Sequence, residues 1–261
     1  MDRLRAKCLC QRGVGILAAA FNRQVILTRI FSQPPSGSCT TCHLHLPTAR
    51  MIRFSLFGIP VEVQPFFWIT LVILGGAIGA DSTTELFRVV LFVMAGFISV
   101  LVHELGHALT ARSFGASSAI TLQAFGGFAA YSGARMSRLQ SFLITAAGPT
   151  IQIVLGLAVY LLLQTLPELR NHGLYFLRIL MVISFVWAIL NLLPVLPLDG
   201  GHMLSSALGP ARIKITLTIS IVVAVVAGLA IFSKTGSILF PIFLGMFAWQ
   251  AFQALRENKW R

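Results

Sequence analysis

The chain has few acidic residues and little charge of any kind. Of its 261 residues, 11% are charged and only eight are Asp or Glu, whereas 56% are hydrophobic. Ordinary soluble domains carry about 25% charged residues. The composition therefore excludes a water-soluble fold and predicts an integral membrane protein whose surroundings are a lipid bilayer.

Cysteine is also scarce, and all four residues lie before position 43: Cys8, Cys10, Cys39 and Cys42. No disulfide framework can therefore support the apolar remainder. The 20 Lys and Arg residues give a net charge of +12, but they lie at the ends of apolar runs and do not alternate with aromatic residues. This pattern is typical of membrane topology signals and argues against nucleic-acid binding.

Residues 1–50 differ in composition from the rest of the chain, because they are rich in Arg and contain a single acid, Asp2. Three interpretations compete: a flexible cytoplasmic extension, a targeting peptide, or upstream sequence preceding a start at Met51. We favour the third interpretation. The organisation predicted is a basic N-terminal extension over residues 1–50 and a polytopic membrane domain over residues 51–261.

Apolar stretches after residue 64 approach the roughly 20 residues that a helix needs to span a bilayer. Six candidate spans are predicted: Pro65–Ala80, Leu86–Ala111, Leu139–Leu163, Tyr175–Leu196, Ile213–Phe232 and Ile238–Leu255. The fold class predicted is thus all-α, with six transmembrane helices. Between the second and third spans, the segment from Ser117 to Tyr131 is β-prone, broken by Gly126 and Gly127, and too apolar for a solvated loop. We expect a short re-entrant or β-like element there, lining a cavity.

Basic residues around these six spans favour one side of the membrane. That side would hold Arg53, Arg112, Arg135, Arg138, Arg212, Lys214, Arg256, Lys259 and Arg261, whereas the opposite side mixes both signs of charge. By the positive-inside rule, both termini are predicted to be cytoplasmic.

The second span ends in an H-E-x-x-H sequence, from His103 to His107. Residues four apart project from nearly the same face of a helix, so the two imidazoles can bind one metal ion. Glu104 can then reach a water molecule at that ion without being a ligand, which is the geometry of a general base. Ionisable residues in an apolar span are costly and usually functional.

A hydrolytic zinc site needs a third protein ligand. Asp199 is the best candidate, because it closes the fourth span at the predicted cytoplasmic end, where the two histidines also lie. Pro194 and Pro197 break the helix just before it, and Gly200 and Gly201 permit close approach of the backbone.

Together these two segments resemble the site-2 protease family of intramembrane zinc metalloproteases. That family pairs an H-E-x-x-H helix with a later N-x-x-P-x-x-P-L-D-G motif, which runs here from Asn191 to Gly200. The stretch Ala146-Ala147-Gly148-Pro149 is also similar to the family pattern. This chain has no interval long enough for the PDZ or CBS domains that many relatives carry.

The resemblance implies one Zn²⁺ per chain, held by His103, His107 and Asp199, with Glu104 as the base and Asn191 as a residue that positions substrate or stabilises the oxyanion. The activity implied is hydrolysis of a peptide bond in the transmembrane segment of a membrane-protein substrate, in the bacterial cytoplasmic membrane. Two alternatives stay open: a zinc or proton-coupled transporter, and a catalytically inactive scaffold. The sequence indicates neither the substrate nor the oligomeric state.

Overall fold

A computed structural model describes residues 51–124, 126–165, 172–236 and 238–257. The extension predicted for residues 1–50 lies outside the described residues. The described chain is mostly helical, as predicted. Its helices are α1 (Pro65–Leu74), α2 (Thr83–Ser113), α3 (Arg138–Thr165), α4 (His172–Asn191), α5 (Asp199–Leu208), α6 (Ile213–Thr235) and α7 (Leu239–Arg256), with short 3₁₀ turns at Ala77–Gly79 and Pro210–Arg212.

A four-stranded sheet accompanies the helices, so the prediction of an all-α chain was incomplete. Its strands are β1 (Ile52–Leu56), β2 (Ile59–Val63), β3 (Ser117–Gln123) and β4 (Gly126–Ser132), in that spatial order. The two outer pairings are antiparallel, and β2 pairs in parallel with β3. Strands β3 and β4 account for the β-prone segment of the sequence, whereas its re-entry into the membrane stays a prediction.

Four helices in the described ranges are long and apolar enough to cross a membrane: α2, α3, α4 and the stretch Pro210–Thr235 that contains α6. They match the second to fifth predicted spans. The first predicted span is a helix of ten residues, about 15 Å long against a hydrocarbon core of about 30 Å. It ends at Leu74 because Gly75 and Gly76 follow, and Gly76 has a left-handed backbone with φ 87°. The sixth predicted span is helical as α7 but is not among these four.

Helix α2 is the centre of the fold, because α1, α3, α4 and both strands of the β3–β4 hairpin contact it. Small residues allow these close approaches. A β-carbon on Gly106 would lie 2.7 Å from the carbonyl oxygen of Ala147 on α3, and one on Gly96 would lie 2.8 Å from Leu71 on α1. Helix interfaces in membranes commonly rely on such residues. Alternate residues of β2, namely Ile59, Val61 and Val63, pack with α1 and α2 in one apolar cluster.

Helices α6 and α7 pack on each other, and α6 also contacts α5. Their apolar cluster includes Val195, which belongs to the segment that joins α4 to α5. This segment carries the motif around Pro194 and Pro197, so the α6–α7 pair lies directly against the chain that leads into Asp199.

Candidate functional site

His103 and His107 lie on one face of α2, one turn apart, in the interior of the protein. Their Nε2 atoms are 3.1 Å apart, and the two rings meet edge to face. Both residues are buried, with 3% and 8% of their surfaces exposed. The helical spacing inferred from the sequence therefore brings both imidazoles to a single point.

Asp199 reaches the same point from the first turn of α5. Its Oδ2 atom lies 3.0 Å from Nε2 of His103 and 3.4 Å from Nε2 of His107. Helix α4 ends at Asn191, so the helix is broken before Asp199 in the segment that contains Pro194 and Pro197, as the sequence predicted. The short helix α5 that begins at Asp199 was not predicted.

These three atoms form a group that can hold one metal ion. Around a tetrahedral zinc ion with ligands at about 2.0–2.2 Å, neighbouring ligand atoms lie about 3.4 Å apart. The separations of 3.0, 3.1 and 3.4 Å are close to that value. Oδ2 of Asp199 is buried and accepts no hydrogen bond from the described residues, so its lone pairs are left for a cation. Two imidazoles and one carboxylate also form a donor set that suits Zn²⁺.

The second nitrogen of the His107 ring has a partner in the main chain. Its Nδ1 lies 2.8 Å from the carbonyl oxygen of Ile144 on α3. A carbonyl only accepts, so Nδ1 must donate, and Nε2 keeps the lone pair that a metal requires.

Glu104 is buried beside this group, with 3% of its surface exposed. Its carboxylate interacts electrostatically with His103, His107 and Asp199. Its Oε2 atom has no hydrogen-bond partner in the part of the chain that the structure describes. Strand β4 runs against the carboxylate, because a β-carbon on Gly127 would lie 2.8 Å from Oε1. A buried carboxylate without a hydrogen-bond partner is costly in a purely structural role.

Three glycines make room for the site. A β-carbon on Gly148 of α3 would overlap the imidazole of His107. On Gly200 it would overlap the carbonyl oxygens of Leu192 and Leu193, and on Gly201 it would lie 2.5 Å from the backbone nitrogen of Leu196. The glycines after Asp199 thus allow the first turn of α5 to fold back against the preceding segment, as their sequence position suggested.

Asn191 is the last residue of α4 and is partly exposed. Its side chain makes no hydrogen bond to any residue that the structure describes, and its role stays a prediction. Sequence reasoning missed Gln152, whose Oε1 atom lies 2.9 Å from Nδ1 of His103. A polar residue in the apolar third span was a signal that could have indicated it.

Comparisons with known proteins indicate the family of the chain. The sequence model of Peptidase family M50 matches residues 91–173 and 167–233. A Synechocystis sp. protein provisionally named a zinc metalloprotease is 34% identical over 161 residues, which are 58% of this chain and 42% of that protein. A zinc metalloprotease of Methanocaldococcus jannaschii is 30% identical over 156 residues, 59% of this chain and 44% of that protein.

The solved structure of the site-2 protease from Methanocaldococcus jannaschii is also similar, with a TM-score of 0.56 at 27% identity, over 79% of this chain and 95% of that chain. The present chain spans about half the length of the curated relatives it matches.

Proposed function

The chain belongs to Peptidase family M50, and we propose that it is an intramembrane zinc metalloprotease that hydrolyses a peptide bond in the transmembrane segment of a membrane-protein substrate. One observation carries this proposal: Nε2 of His103, Nε2 of His107 and Oδ2 of Asp199 converge beside the buried carboxylate of Glu104. The two histidines and Glu104 lie on α2, which is long and apolar enough to cross a membrane. The catalytic unit lies within residues 51–261, and residues 1–50 are an extension to it.

Each residue of the site has a proposed task. His103, His107 and Asp199 would hold one zinc ion through three protein ligands. When bound, zinc supplies Lewis acidity, which makes a water molecule nucleophilic at neutral pH and polarises the scissile carbonyl. Glu104 accepts the proton from the attacking water and delivers it to the leaving amine. Asn191 orients the substrate or donates a hydrogen bond to the developing oxyanion.

The substrate class follows from where the site lies. A transmembrane helix satisfies its own carbonyls in i to i−4 hydrogen bonds, so a substrate must unwind locally before attack. Strand β4 passes Glu104 at Gly127, and its hairpin is our candidate for the element that shapes entry of water and substrate. Cleavage sites flanked by helix-weakening residues are expected.

The proposed setting is the bacterial cytoplasmic membrane, with α1 and α7 joining the four long helices in a six-helix arrangement. Basic residues that follow the ends of these helices favour a cytoplasmic position for both termini. On this orientation the zinc site lies near the cytoplasmic face.

The test is zinc content and cleavage of a single-span model substrate by the purified full chain. Wild type is compared with Glu104→Gln and Asp199→Asn. The control variant is Asp81→Asn, whose residue precedes α2 and lies about 33 Å along the helix axis from His103. We expect wild type and Asp81→Asn to bind zinc and cleave, Glu104→Gln to bind zinc without cleaving, and Asp199→Asn to lose zinc.

Two results would overturn the proposal. A wild-type protein that binds no zinc, with Glu104→Gln equal to it in every assay, would favour the inactive scaffold. Zinc flux across proteoliposomes without any cleavage would favour the transporter.

A further inference from the structure

A chain of buried polar side chains extends from His103 into the apolar interior, across three helices. Oε1 of Gln152 on α3 lies 2.9 Å from Nδ1 of His103. Nε2 of Gln152 donates to Oγ of Ser99 on α2 at 2.8 Å, and Oγ of Ser99 lies 3.1 Å from Oγ of Ser184 on α4. Gln152, Ser99 and Ser184 are all 0% exposed.

The backbone fixes the orientation of the Gln152 amide. Its Nε2 atom also lies 3.4 Å from the carbonyl oxygen of Ser99, which can only accept a hydrogen bond. The NH₂ group must therefore face Ser99, and the amide oxygen must face His103. A flipped amide would set two oxygens against each other at this carbonyl.

The orientation of the amide in turn fixes the tautomer of His103. Because Oε1 of Gln152 only accepts, Nδ1 of His103 must donate to it. In the neutral ring Nε2 then carries the lone pair, and this is the nitrogen that lies 3.0 Å from Asp199. The hydrogen bond also holds the plane of the ring, whose Nε2 atom points at the candidate metal position.

The serines complete the chain and determine its direction. Oγ of Ser99 accepts from Gln152, so its single hydrogen is free to donate to Ser184. Burying polar groups in apolar helices costs free energy unless they are paired. Here the paired side chains of Ser99, Gln152 and Ser184 link α2, α3 and α4 next to the candidate metal site.

We propose that Gln152 is a positioning residue for the metal site, which holds His103 in the tautomer and ring orientation needed for coordination through Nε2. This inference rests on the zinc site proposed above and extends it to a residue that is not a ligand. Ser99 supports Gln152. Ser184 contributes to helix packing, and Ser99 and Gln152 separate it from the ring of His103.

The test is metal affinity of the purified 261-residue chain in detergent, measured with Zn²⁺ and Co²⁺ by competition against a chromophoric chelator. Gln152→Leu removes the acceptor for His103, and we expect binding weakened about 10- to 100-fold, the usual effect of losing such a partner. Gln152→Glu keeps an acceptor oxygen toward Nδ1, in either protonation state, and should bind within about 3-fold of wild type.

Ser184→Ala is the matched control, because it removes a buried hydroxyl from the same row of hydrogen-bonded side chains but leaves the contacts of Gln152 in place. It should lower thermal stability and leave the affinity and the visible spectrum of bound Co²⁺ unchanged, whereas Gln152→Leu should alter that spectrum. Unchanged affinity in Gln152→Leu would overturn the inference. Equal weakening in Gln152→Leu and Ser184→Ala would overturn it too, because packing alone would then explain both.

If Gln152→Leu does not fold, ¹⁵N NMR of histidine-labelled wild type decides the matter. The signal of His103 is identified as the one that changes in Gln152→Glu. The inference requires this ring to carry a proton on Nδ1 and to bind the metal through Nε2. A ring protonated on Nε2, with Nδ1 unprotonated, would overturn it.

The inference and the proposed function fail separately. A wild type that binds metal but cuts no substrate, with weakened binding in Gln152→Leu, removes the function and leaves the inference. An active wild type with unchanged affinity in Gln152→Leu removes the inference alone, and a wild type that takes up no metal removes both.

Discussion

Gly127 of strand β4 lies against the side chain of Glu104 so closely that an added β-carbon would sit 2.6 Å from Cγ of the glutamate. The backbone at Gly127 does not require glycine, because its φ angle is not among the positive values found in this chain. Space for the Glu104 carboxylate is therefore the reason for glycine at this position. The strand acts as a wall that fixes where the proposed base can point.

Gly127→Ala should consequently displace Glu104 and lower the cleavage rate while zinc stays bound. A shift of about 1 Å in a catalytic group can cost about 100-fold in rate. The measurement is the cleavage rate and zinc content of the purified variant. Gly245→Ala on α7 is the control, since a β-carbon there meets no atom within 4 Å. Wild-type activity in Gly127→Ala would show that the strand does not constrain the glutamate.

Gly148→Ala should act on the metal instead of the base. The added methyl group would overlap the ring of His107, and the ring must move away from its position beside His103. We expect zinc affinity to fall by at least 10-fold, the lower range for a disturbed ligand shell, with activity lost in proportion. Chelator competition measures the affinity.

Gly156→Ala provides a control on the same helix. Its β-carbon would meet the ring of Phe185 at 3.1–3.2 Å, a side chain that can shift slightly. It should keep wild-type zinc affinity. If both alanine variants bound zinc equally, the close approach of α3 to His107 would not matter for the ligand.

Ser220 of α6 forms a hydrogen bond with the segment that precedes Asp199. The Ser220 hydroxyl accepts from the backbone nitrogen of Leu196 at 3.1 Å and donates to the carbonyl of Thr216 at 2.8 Å. Ser220→Ala leaves the Leu196 N–H unpaired, so the free energy of unfolding should fall by about 1–3 kcal/mol. Unfolding of the purified variant in increasing SDS measures the change.

Ser233→Ala on the same helix is the matched control, because its hydroxyl is exposed and bonds only to Ala230 within the helix. Its stability should stay within about 0.5 kcal/mol of wild type. Equal stability of the two variants would mean that the Ser220 contact does not anchor the segment.

The sequence predicted the parts of the site that depend on local spacing. His103 and His107 share a face because residues four apart do so on any helix. Asp199 was identified because prolines end the preceding helix and because few other acids are available in the apolar body. The fourth span was nevertheless predicted to end at Leu196, five residues late, since α4 already ends at Asn191, three residues before Pro194.

Features that depend on distant pairing were missed. Strand β2 alternates buried Ile59, Val61 and Val63 with Pro60 and Glu62, which is a strand signal. Its parallel partner β3, however, lies more than 50 residues later in the sequence, after α1 and α2. Gln152 was missed for the same reason. Its meaning depends on Ser99 and His103, which another helix supplies, and its own neighbours in sequence do not reveal them.

The contact between His107 and the carbonyl of Ile144 has a genetic consequence. The partner of His103 is a side chain, so one codon change at Gln152 can remove it. The partner of His107 belongs to the main chain, and every amino acid carries that carbonyl. Apolar replacements of Ile144 therefore leave the acceptor in place as long as α3 keeps its path. In a random mutant library, inactivating changes on this side of α3 should accumulate at Gly148 and Gln152, while residue 144 drifts among apolar amino acids.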